Sequence, residues 1–203
     1  MSERRATDVT WHHGEVEPGA RRALLGHGAA CVWLTGLSGS GKSTLARRVE
    51  RTLIERGVLA YTLDGDNLRH GLNADLGFSA DDRRENIRRV GELARVLVDA
   101  GTIVLAAFIS PYRADRAGVR DKLPQGTFLE IHVATPIEVC EARDPKGLYE
   151  KARAGGIPDF TGISAPYEAP EHPALVVDTS AATLDECAER IIGELARRGI
   201  IPG

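Results

Sequence analysis

The residues best suited to chemistry lie in one glycine-rich stretch, residues 36–43, with the sequence GLSGSGKS. Its spacing fits G-x-x-x-x-G-K-[ST], the phosphate-binding P-loop. Glycines let the backbone curve closely around an anion, and the N–H groups of the loop and of the following helix point at phosphate oxygens. In such loops the lysine, here Lys42, reaches the terminal phosphates, and the hydroxyl of Ser43 can bind Mg²⁺. We therefore expect this stretch to bind a purine triphosphate together with Mg²⁺.

A second group of polar residues, Asp64-Gly65-Asp66-Asn67, follows a short apolar segment. If the backbone is extended, carboxylates two residues apart project to the same side. Open α/β sheets bind their ligands at the carboxyl ends of strands. One carboxylate could then complete a metal shell while the other accepts a proton from an attacking hydroxyl. These residue types are also typical of a polar turn, and the nearby P-loop favours the functional interpretation.

A later apolar segment, residues 102–108, runs into Ile109-Ser110-Pro111 without an acidic residue. Many P-loop proteins carry a metal-binding aspartate at the end of such a strand. Here Asp64 and Asp66 are the candidates for that role. This departure favours a small-molecule kinase over a GTPase or a motor ATPase.

Two further features would complete a site for an anionic substrate. Arg83 and Asn86 are three residues apart on a predicted helix and share a face, where a guanidinium can bind phosphate or sulfate. Phe78, just before that helix, could stack on a base. Residues 143–172 begin with a basic segment poor in core residues, 143–153, and continue with a proline-rich stretch, which predicts a lid that closes over phosphates.

The elements that must position these residues follow from the hydrophobic pattern. Apolar segments alternate with amphipathic ones, which predicts an α/β fold with a five-stranded parallel sheet and helices on both faces. Strands are predicted at residues 30–35, 58–63, 102–108, 128–133 and 174–178, and helices at 42–57, 79–100, from 111 and from 183. Ser79 with Asp82, and Thr183 with Glu186, resemble capping boxes. We expect a lead-in at residues 1–29 and a single domain at 30–203.

Composition excludes several classes of protein. The net charge of −3 over 203 residues argues against a nucleic-acid binder, and no apolar run is long enough to span a membrane. The N-terminus lacks the apolar region of a signal peptide, so a cytoplasmic location is expected. Three scattered cysteines are expected to be core residues. The adjacent His12 and His13 fit a solvated lead-in better than a metal site.

The motifs together resemble the adenylylsulfate kinase family over nearly the whole chain. The matching stretches are residues 10–12, 36–43, 64–72, 77–79, 82–89, 108–113, 143–149 and 160–168. The resemblance implies a three-layer P-loop kinase fold with a mobile lid. It implies transfer of the γ-phosphoryl group of ATP, with Mg²⁺, to the 3′-hydroxyl of adenosine 5′-phosphosulfate. The products would be 3′-phosphoadenosine 5′-phosphosulfate and ADP, a step of sulfate assimilation.

The resemblance also assigns roles to individual residues. Arg69, Arg83 and Asn86 would bind the phosphosulfate, and Phe78 and Phe160 would sandwich the adenine. Ser110 is described in the family as a phosphoserine intermediate, although in-line transfer requires only positioning and charge neutralisation. The predicted ATP-binding residues are Gly36, Leu37, Ser38, Gly39, Ser40, Gly41, Lys42, Ser43, Thr44 and Arg143. The predicted acceptor-binding residues are Asp64, Asp66, Arg69, Phe78, Arg83, Asn86, Ile109, Ser110, Lys146 and Phe160. The predicted catalytic residues are Lys42, Asp66, Lys146 and Ser110, and the predicted metal ligands are Ser43 and Asp66.

Two alternatives remain open at the level of sequence. Another small-molecule kinase, for gluconate, shikimate or a nucleotide, would share the P-loop and the acidic strand end. A nucleotide-dependent switch without transfer activity would lack an acceptor site, whereas this chain has Asp66 and a predicted lid. The family also implies a homodimer. We expect a stand-alone enzyme, and association with an ATP sulfurylase stays open.

Overall fold

The computed structural model describes residues 8–10, 12 and 14–203. Trp11 belongs to the lead-in that resembles the family, and His13 is half of the histidine pair; both lie outside the described residues. Within the described part of the chain, no helix is long and apolar enough to cross a membrane.

Five parallel strands form one sheet in the order β2-β3-β1-β4-β5. The prediction of a five-stranded parallel sheet is therefore confirmed. Every residue of the central strand β1 is buried, because helices cover both faces of the sheet. The strands are β1 Ala30–Thr35, β2 Ala60–Asp64, β3 Ile103–Ala107, β4 Phe128–Val133 and β5 Leu175–Val177.

Eight helices occur in the described part of the chain, and the longest of them cover the two faces of the sheet. They are α1 Pro18–Leu25, α2 Lys42–Glu55, α3 Gly65–Arg69, α4 Ala80–Asp99, α5 Arg113–Arg120, α6 Ile137–Arg143, α7 Leu148–Arg153 and α8 Leu184–Arg197. Alternate residues of β1 point to opposite faces. Val32 and Leu34 pack in the core under α2 and α8, and Cys31 and Trp33 pack in the core under α4. All three cysteines are buried, as expected.

Two local predictions were wrong. The segment from Asp64 to Asn67 is not extended: Asp64 ends β2 and caps α3, because its carboxylate accepts the backbone N–H groups of Asp66 and Asn67. Pro111 does not occupy the first turn of a helix, because α5 begins at Arg113. The Pro111 carbonyl instead accepts the N–H of Glu168, which ties this turn to the end of the predicted lid.

The cap predicted at Thr183 is present as a full capping box at the start of α8. The Thr183 hydroxyl accepts the N–H of Glu186 at 3.2 Å, and the Glu186 carboxylate accepts the N–H of Thr183 at 2.8 Å. The helix buries Ile191, Ile192 and Leu195 against the core that it shares with α2. The cap therefore fixes the start of a helix on which one face of the sheet depends.

Replacing Thr183 with alanine should lower the free energy of unfolding by about 1 kcal/mol, because one N–H at the helix start loses its partner. Urea denaturation would measure the change. Thr183→Ser keeps the hydroxyl and should stay close to wild type. Equal stability of the alanine and serine variants would show that the cap contributes nothing.

Candidate active site

A cavity of about 920 Å³ lies at the carboxyl ends of the central strands, where β1, β2 and β3 run into loops. The P-loop, the start of α4 and the predicted lid all line it. Almost every residue predicted from the sequence to act in the site lines this one cavity. The exceptions are Gly36, Leu37 and Ser40, which belong to the P-loop but do not line the cavity.

The P-loop curves tightly, and all three of its glycines, Gly36, Gly39 and Gly41, have a positive φ that other residues adopt only with strain. A Cβ on Gly36 would lie 2.5 Å from the carbonyl oxygen of Val133. Gly39 has φ 72°, in the left-handed region that favours glycine. The loop is fixed to the sheet through the Ser40 carbonyl, which accepts hydrogen bonds from Thr135 at 3.1 Å and Thr179 at 2.9 Å.

Lys42 begins α2 and is only 8% exposed. Its ammonium donates to the Leu37 carbonyl at 2.6 Å and to the Ser40 hydroxyl at 3.3 Å. Burial lowers the pKa of Lys42 to about 8, because desolvation disfavours the charged form. The Lys42 ammonium thus lies beside the cavity and is bound only by neutral oxygens, those of Leu37 and Ser40. A phosphate could replace these oxygens as its partner.

The two carboxylates that follow β2 lie in different environments. Burial would raise the pKa of Asp64, but hydrogen bonds from Ser43 and from the Asp66 and Asn67 N–H groups, with the charge of Arg47, hold it below its usual range. Asp64 is therefore an anion beside the Ser43 hydroxyl. Asp66 is exposed and forms an ion pair with Lys146 of the predicted lid.

The described residues contain no group of three or more acidic, histidine or cysteine side chains that could hold a metal ion. In nucleotide sites, Mg²⁺ is held through one or two protein ligands, water and substrate phosphates. A hydroxyl and an anionic carboxylate, as in Ser43 and Asp64, are oxygen donors of the kind that this hard cation prefers. The donor set therefore fits Mg²⁺ brought with a nucleotide.

Positive charge collects on the opposite wall of the cavity. The Arg69 guanidinium lies 4.3 Å from the centre of the Phe78 ring and donates to the carbonyls of Leu76 and Gly77. Arg83, in the first turn of α4, donates to the Phe78 carbonyl at 2.9 Å. Both arginines are thus oriented by the loop that also carries Phe78, so that a ring and two cations face the same space.

Arg83 also reaches the predicted lid. It donates to the Thr161 hydroxyl at 3.0 Å and to the Asp159 carbonyl at 2.6 Å. One turn further along α4, the side-chain oxygen Oδ1 of Asn86 accepts a hydrogen bond from the side-chain amide of Asn73 at 3.0 Å. Asn86 also lines the cavity.

The two phenylalanines predicted to sandwich a base differ in their surroundings. Phe78 is 67% exposed, whereas Phe160 is 7% exposed and packs edge-on against Tyr149, with ring centres 5.0 Å apart. Phe160 belongs to a small apolar cluster with Tyr149 and Ala152 of the predicted lid and with Cys140 of α6. The Tyr149 hydroxyl donates to the Ser38 carbonyl, so this cluster docks the lid on the P-loop.

Ser110 is 2% exposed, and its backbone has φ 39°, a rare value for a residue other than glycine. Its hydroxyl oxygen accepts a hydrogen bond from the Trp33 indole at 3.0 Å. The neighbouring Ile109 carbonyl accepts from Thr35 at 2.8 Å. This geometry favours a structural role for the Ser110 hydroxyl over a covalent one.

Several residues of the site were missed from the sequence. Thr179, after β5, donates to Ser40 and in turn accepts a hydrogen bond from Arg143 at 2.8 Å. Its place at the carboxyl end of a strand was the available signal. Asn73, which fixes Asn86, lies in a loop without periodicity and gave no signal.

His132, expected to be packed, is half-buried and stacks on Tyr167 at 5.9 Å between ring centres.

Comparison with known proteins bears on the identity of this site. A family model described as adenylylsulphate kinase matches residues 28–178. The adenylyl-sulfate kinase of Shewanella amazonensis is 57% identical over 194 residues, which cover 96% of this chain and 98% of that protein.

Two solved structures extend the comparison. The APS kinase CysC of Mycobacterium tuberculosis, solved in complex with AMPPNP and APS, is 51% identical with a TM-score of 0.79, covering 83% of this chain and 98% of that one. The hexameric APS kinase of Thiobacillus denitrificans is 34% identical with a TM-score of 0.65, covering 86% of this chain and 30% of that one. The cavity brings together a P-loop, an acidic strand end and a wall with two arginines. Because the family model and these relatives also match most of this chain, the chain belongs to the adenylylsulfate kinase family.

Proposed function

We propose that the cavity is the active site in which ATP phosphorylates the 3′-hydroxyl of adenosine 5′-phosphosulfate, a step of sulfate assimilation. The observation that carries this proposal is the convergence of two different sites on one cavity. One wall is a P-loop, and the other combines an exposed ring, two arginines and an amide. A substrate with both a base and a strong anion fits the second wall, and ATP fits the first.

The P-loop side would bind the triphosphate. Its N–H groups and the N-terminus of α2 point positive charge at phosphate oxygens, and Lys42 would exchange the Leu37 carbonyl for the β- and γ-phosphates. Ser43 would hold Mg²⁺, with Asp64 orienting the hydroxyl and Asp66 close to the shell. When bound, the ion supplies charge neutralisation on the phosphate oxygens. Arg143 donates to Thr179, which in turn donates to Ser40 of the P-loop, so Arg143 would stabilise this loop.

The acceptor side would position the hydroxyl for in-line attack. Arg69, Arg83 and Asn86 would bind the phosphosulfate, while Phe78 and Phe160 would enclose the adenine. Asp66 would accept the proton of the 3′-hydroxyl as its oxygen bonds to the γ-phosphorus and the bond to ADP breaks. Lys146, paired with Asp66 in this structure, would then be free to stabilise the transferred phosphoryl charge.

The predicted lid would exclude water during transfer. It contacts the P-loop through Tyr149 on Ser38, and the opposite wall through Asp159 and Thr161 on Arg83. A docked lid in this position shields the γ-phosphoryl group from hydrolysis. Opening between turnovers would release the products.

A coupled assay of ADP release tests the proposed function. It would compare adenosine 5′-phosphosulfate with gluconate, shikimate and nucleoside monophosphates as acceptors, and would identify the product. Turnover with adenosine 5′-phosphosulfate, giving the 3′-phosphorylated product, is expected. Turnover with another acceptor alone would leave the P-loop kinase and overturn the roles of Arg69, Arg83, Asn86 and the two phenylalanines.

The affinity for ATP should depend on the protonation of Lys42. Because burial lowers the pKa of Lys42 to about 8 in the nucleotide-free chain, the ammonium loses its proton as the pH rises through that value. The dissociation constant for ATP should therefore increase above about pH 8, since the phosphates attract only the charged form. Equilibrium titration between pH 6.5 and about 9.5 would measure it.

Lys42→Ala is the matched control for this titration. It should bind ATP weakly, show no dependence on pH over that range and lose nearly all turnover while staying folded. A decline in affinity that persisted in Lys42→Ala would place the titrating group elsewhere.

Phe78→Ala should weaken acceptor binding selectively, because the exposed ring contributes little to the core. Stacking of a base on an aromatic ring is worth about 1–3 kcal/mol, so the KM for adenosine 5′-phosphosulfate should rise about 5- to 150-fold. The KM for ATP should stay near wild type. Tyr61→Ala removes an exposed ring from β2, outside the cavity, and should change neither constant. An unchanged acceptor KM in Phe78→Ala would refute the stacking role.

Assembly and location are also proposals. We infer a homodimer from the family resemblance, and the hexameric relative supports assembly in general. A cytoplasmic location and association with an ATP sulfurylase stay predictions. Size-exclusion chromatography with light scattering would determine the oligomeric state.

A further inference from the structure

The turn formed by residues 109–111 is a strained part of the acceptor wall. Ile109, Ser110 and Pro111 all line the cavity, and the φ of 39° at Ser110 is a strained value for a residue other than glycine. Such a conformation persists only where the surroundings hold it. The question is therefore which groups hold this turn.

Buried side-chain donors fix two carbonyl groups of the turn, those of Ile109 and Ser110. Thr35 donates to the Ile109 carbonyl at 2.8 Å, and Arg116 donates to the Ser110 carbonyl at 2.7 Å. The N–H of a trans peptide points opposite to its C=O. Since the Ser110 N–H shares a peptide unit with the Ile109 carbonyl, it is turned away from Thr35.

Arg116 is the most constrained of these donors. Its side chain is 1% exposed, and each of its three nitrogens donates a hydrogen bond. Nε donates to Glu130 at 2.5 Å, Nη1 to the Ser110 carbonyl, and Nη2 to the Glu168 carbonyl at 2.7 Å. The turn of the acceptor wall and the C-terminal end of the lid are thus held by one guanidinium.

Stability alone does not account for this arrangement. Replacing a buried ion pair by apolar side chains of similar volume is often neutral or stabilising, because both ions lose their hydration. Glu130 neutralises Arg116 and also accepts from Arg120 at 2.8 Å. A pair of apolar side chains could not donate hydrogen bonds to the Ser110 and Glu168 carbonyls, whereas the planar guanidinium of Arg116 binds both in fixed directions.

We propose that Arg116 is a positioning residue for the acceptor substrate. It does not line the cavity, so it acts through the Ser110 and Glu168 carbonyls, which fix the turn and the lid end relative to each other. Glu130 holds the guanidinium in place. The inference rests on the proposed function, because it assigns the turn to the binding of adenosine 5′-phosphosulfate.

The test compares steady-state constants for both substrates in three variants. Arg116→Lys keeps the charge but loses the planar fork, and should raise the acceptor KM at least about tenfold with the ATP KM within about twofold. The double variant Arg116→Met with Glu130→Leu fills the interior without charge, and should show the same split even if the lysine variant is unstable. Arg120→Met is the matched control, because its guanidinium contacts Glu130 and the Phe128 ring rather than the two carbonyls.

The outcomes separate this inference from the proposed function. Wild type that fails to phosphorylate adenosine 5′-phosphosulfate overturns both. Active wild type with a folded Arg116→Lys or double variant of unchanged acceptor KM overturns the positioning role alone. A parallel rise in both KM values, or the same split in Arg120→Met, would show a general structural role instead.

Discussion

The Ser40 carbonyl is the point at which the phosphate-binding loop is attached to the rest of the fold. Thr135 and Thr179, which follow β4 and β5, both donate to it. Thr179 also accepts from Arg143, at the end of the helix that leads into the lid. The loop, two strand ends and the lid therefore share one hydrogen-bonded group, and the position of Lys42 depends on it.

Charge in the cavity is arranged by burial as much as by residue type. Lys42 and Asp64 are both buried. Burial lowers the pKa of Lys42 to about 8, whereas hydrogen bonds and the charge of Arg47 keep Asp64 an anion despite its burial. Asp66 and Lys146 are exposed and pair with each other across the cavity. A pair of this kind is weak in solvent and can be exchanged for substrate at small cost. The buried groups thus hold the nucleotide side, while the exposed pair is free to take part in transfer.

The sequence predicted the elements whose physical cause is local. The apolar run of β1, the P-loop spacing and the capping box at Thr183 each depend on neighbours within a few residues, and the structure has all three. The segment after Asp64 was mispredicted as extended, because the Asp64 carboxylate accepts the N–H of Asp66 and so caps a helix there. The short helices α6 and α7 are only seven and six residues long, too short for their periodicity to stand out.

The contacts within the site depend on partners far apart in the chain. Arg83 was predicted to bind an anion, but its contacts with Asp159 and Thr161 join residues more than seventy positions away. Arg116 gave no signal, because a buried arginine is recognised only when its partners on β4 and on the lid are known. Such residues follow from the tertiary structure rather than from any local pattern.

The hydrogen bonds of Arg83 to the lid have a thermodynamic consequence. A guanidinium has five N–H bonds, and the contacts to Phe78, Thr161 and Asp159 use three of them, one on each nitrogen. An anion can therefore approach the remaining N–H bonds of the two terminal nitrogens while the lid stays docked. The docked lid orients Arg83 and so increases the affinity for the anion. By thermodynamic linkage, the bound anion stabilises the docked lid by the same free energy.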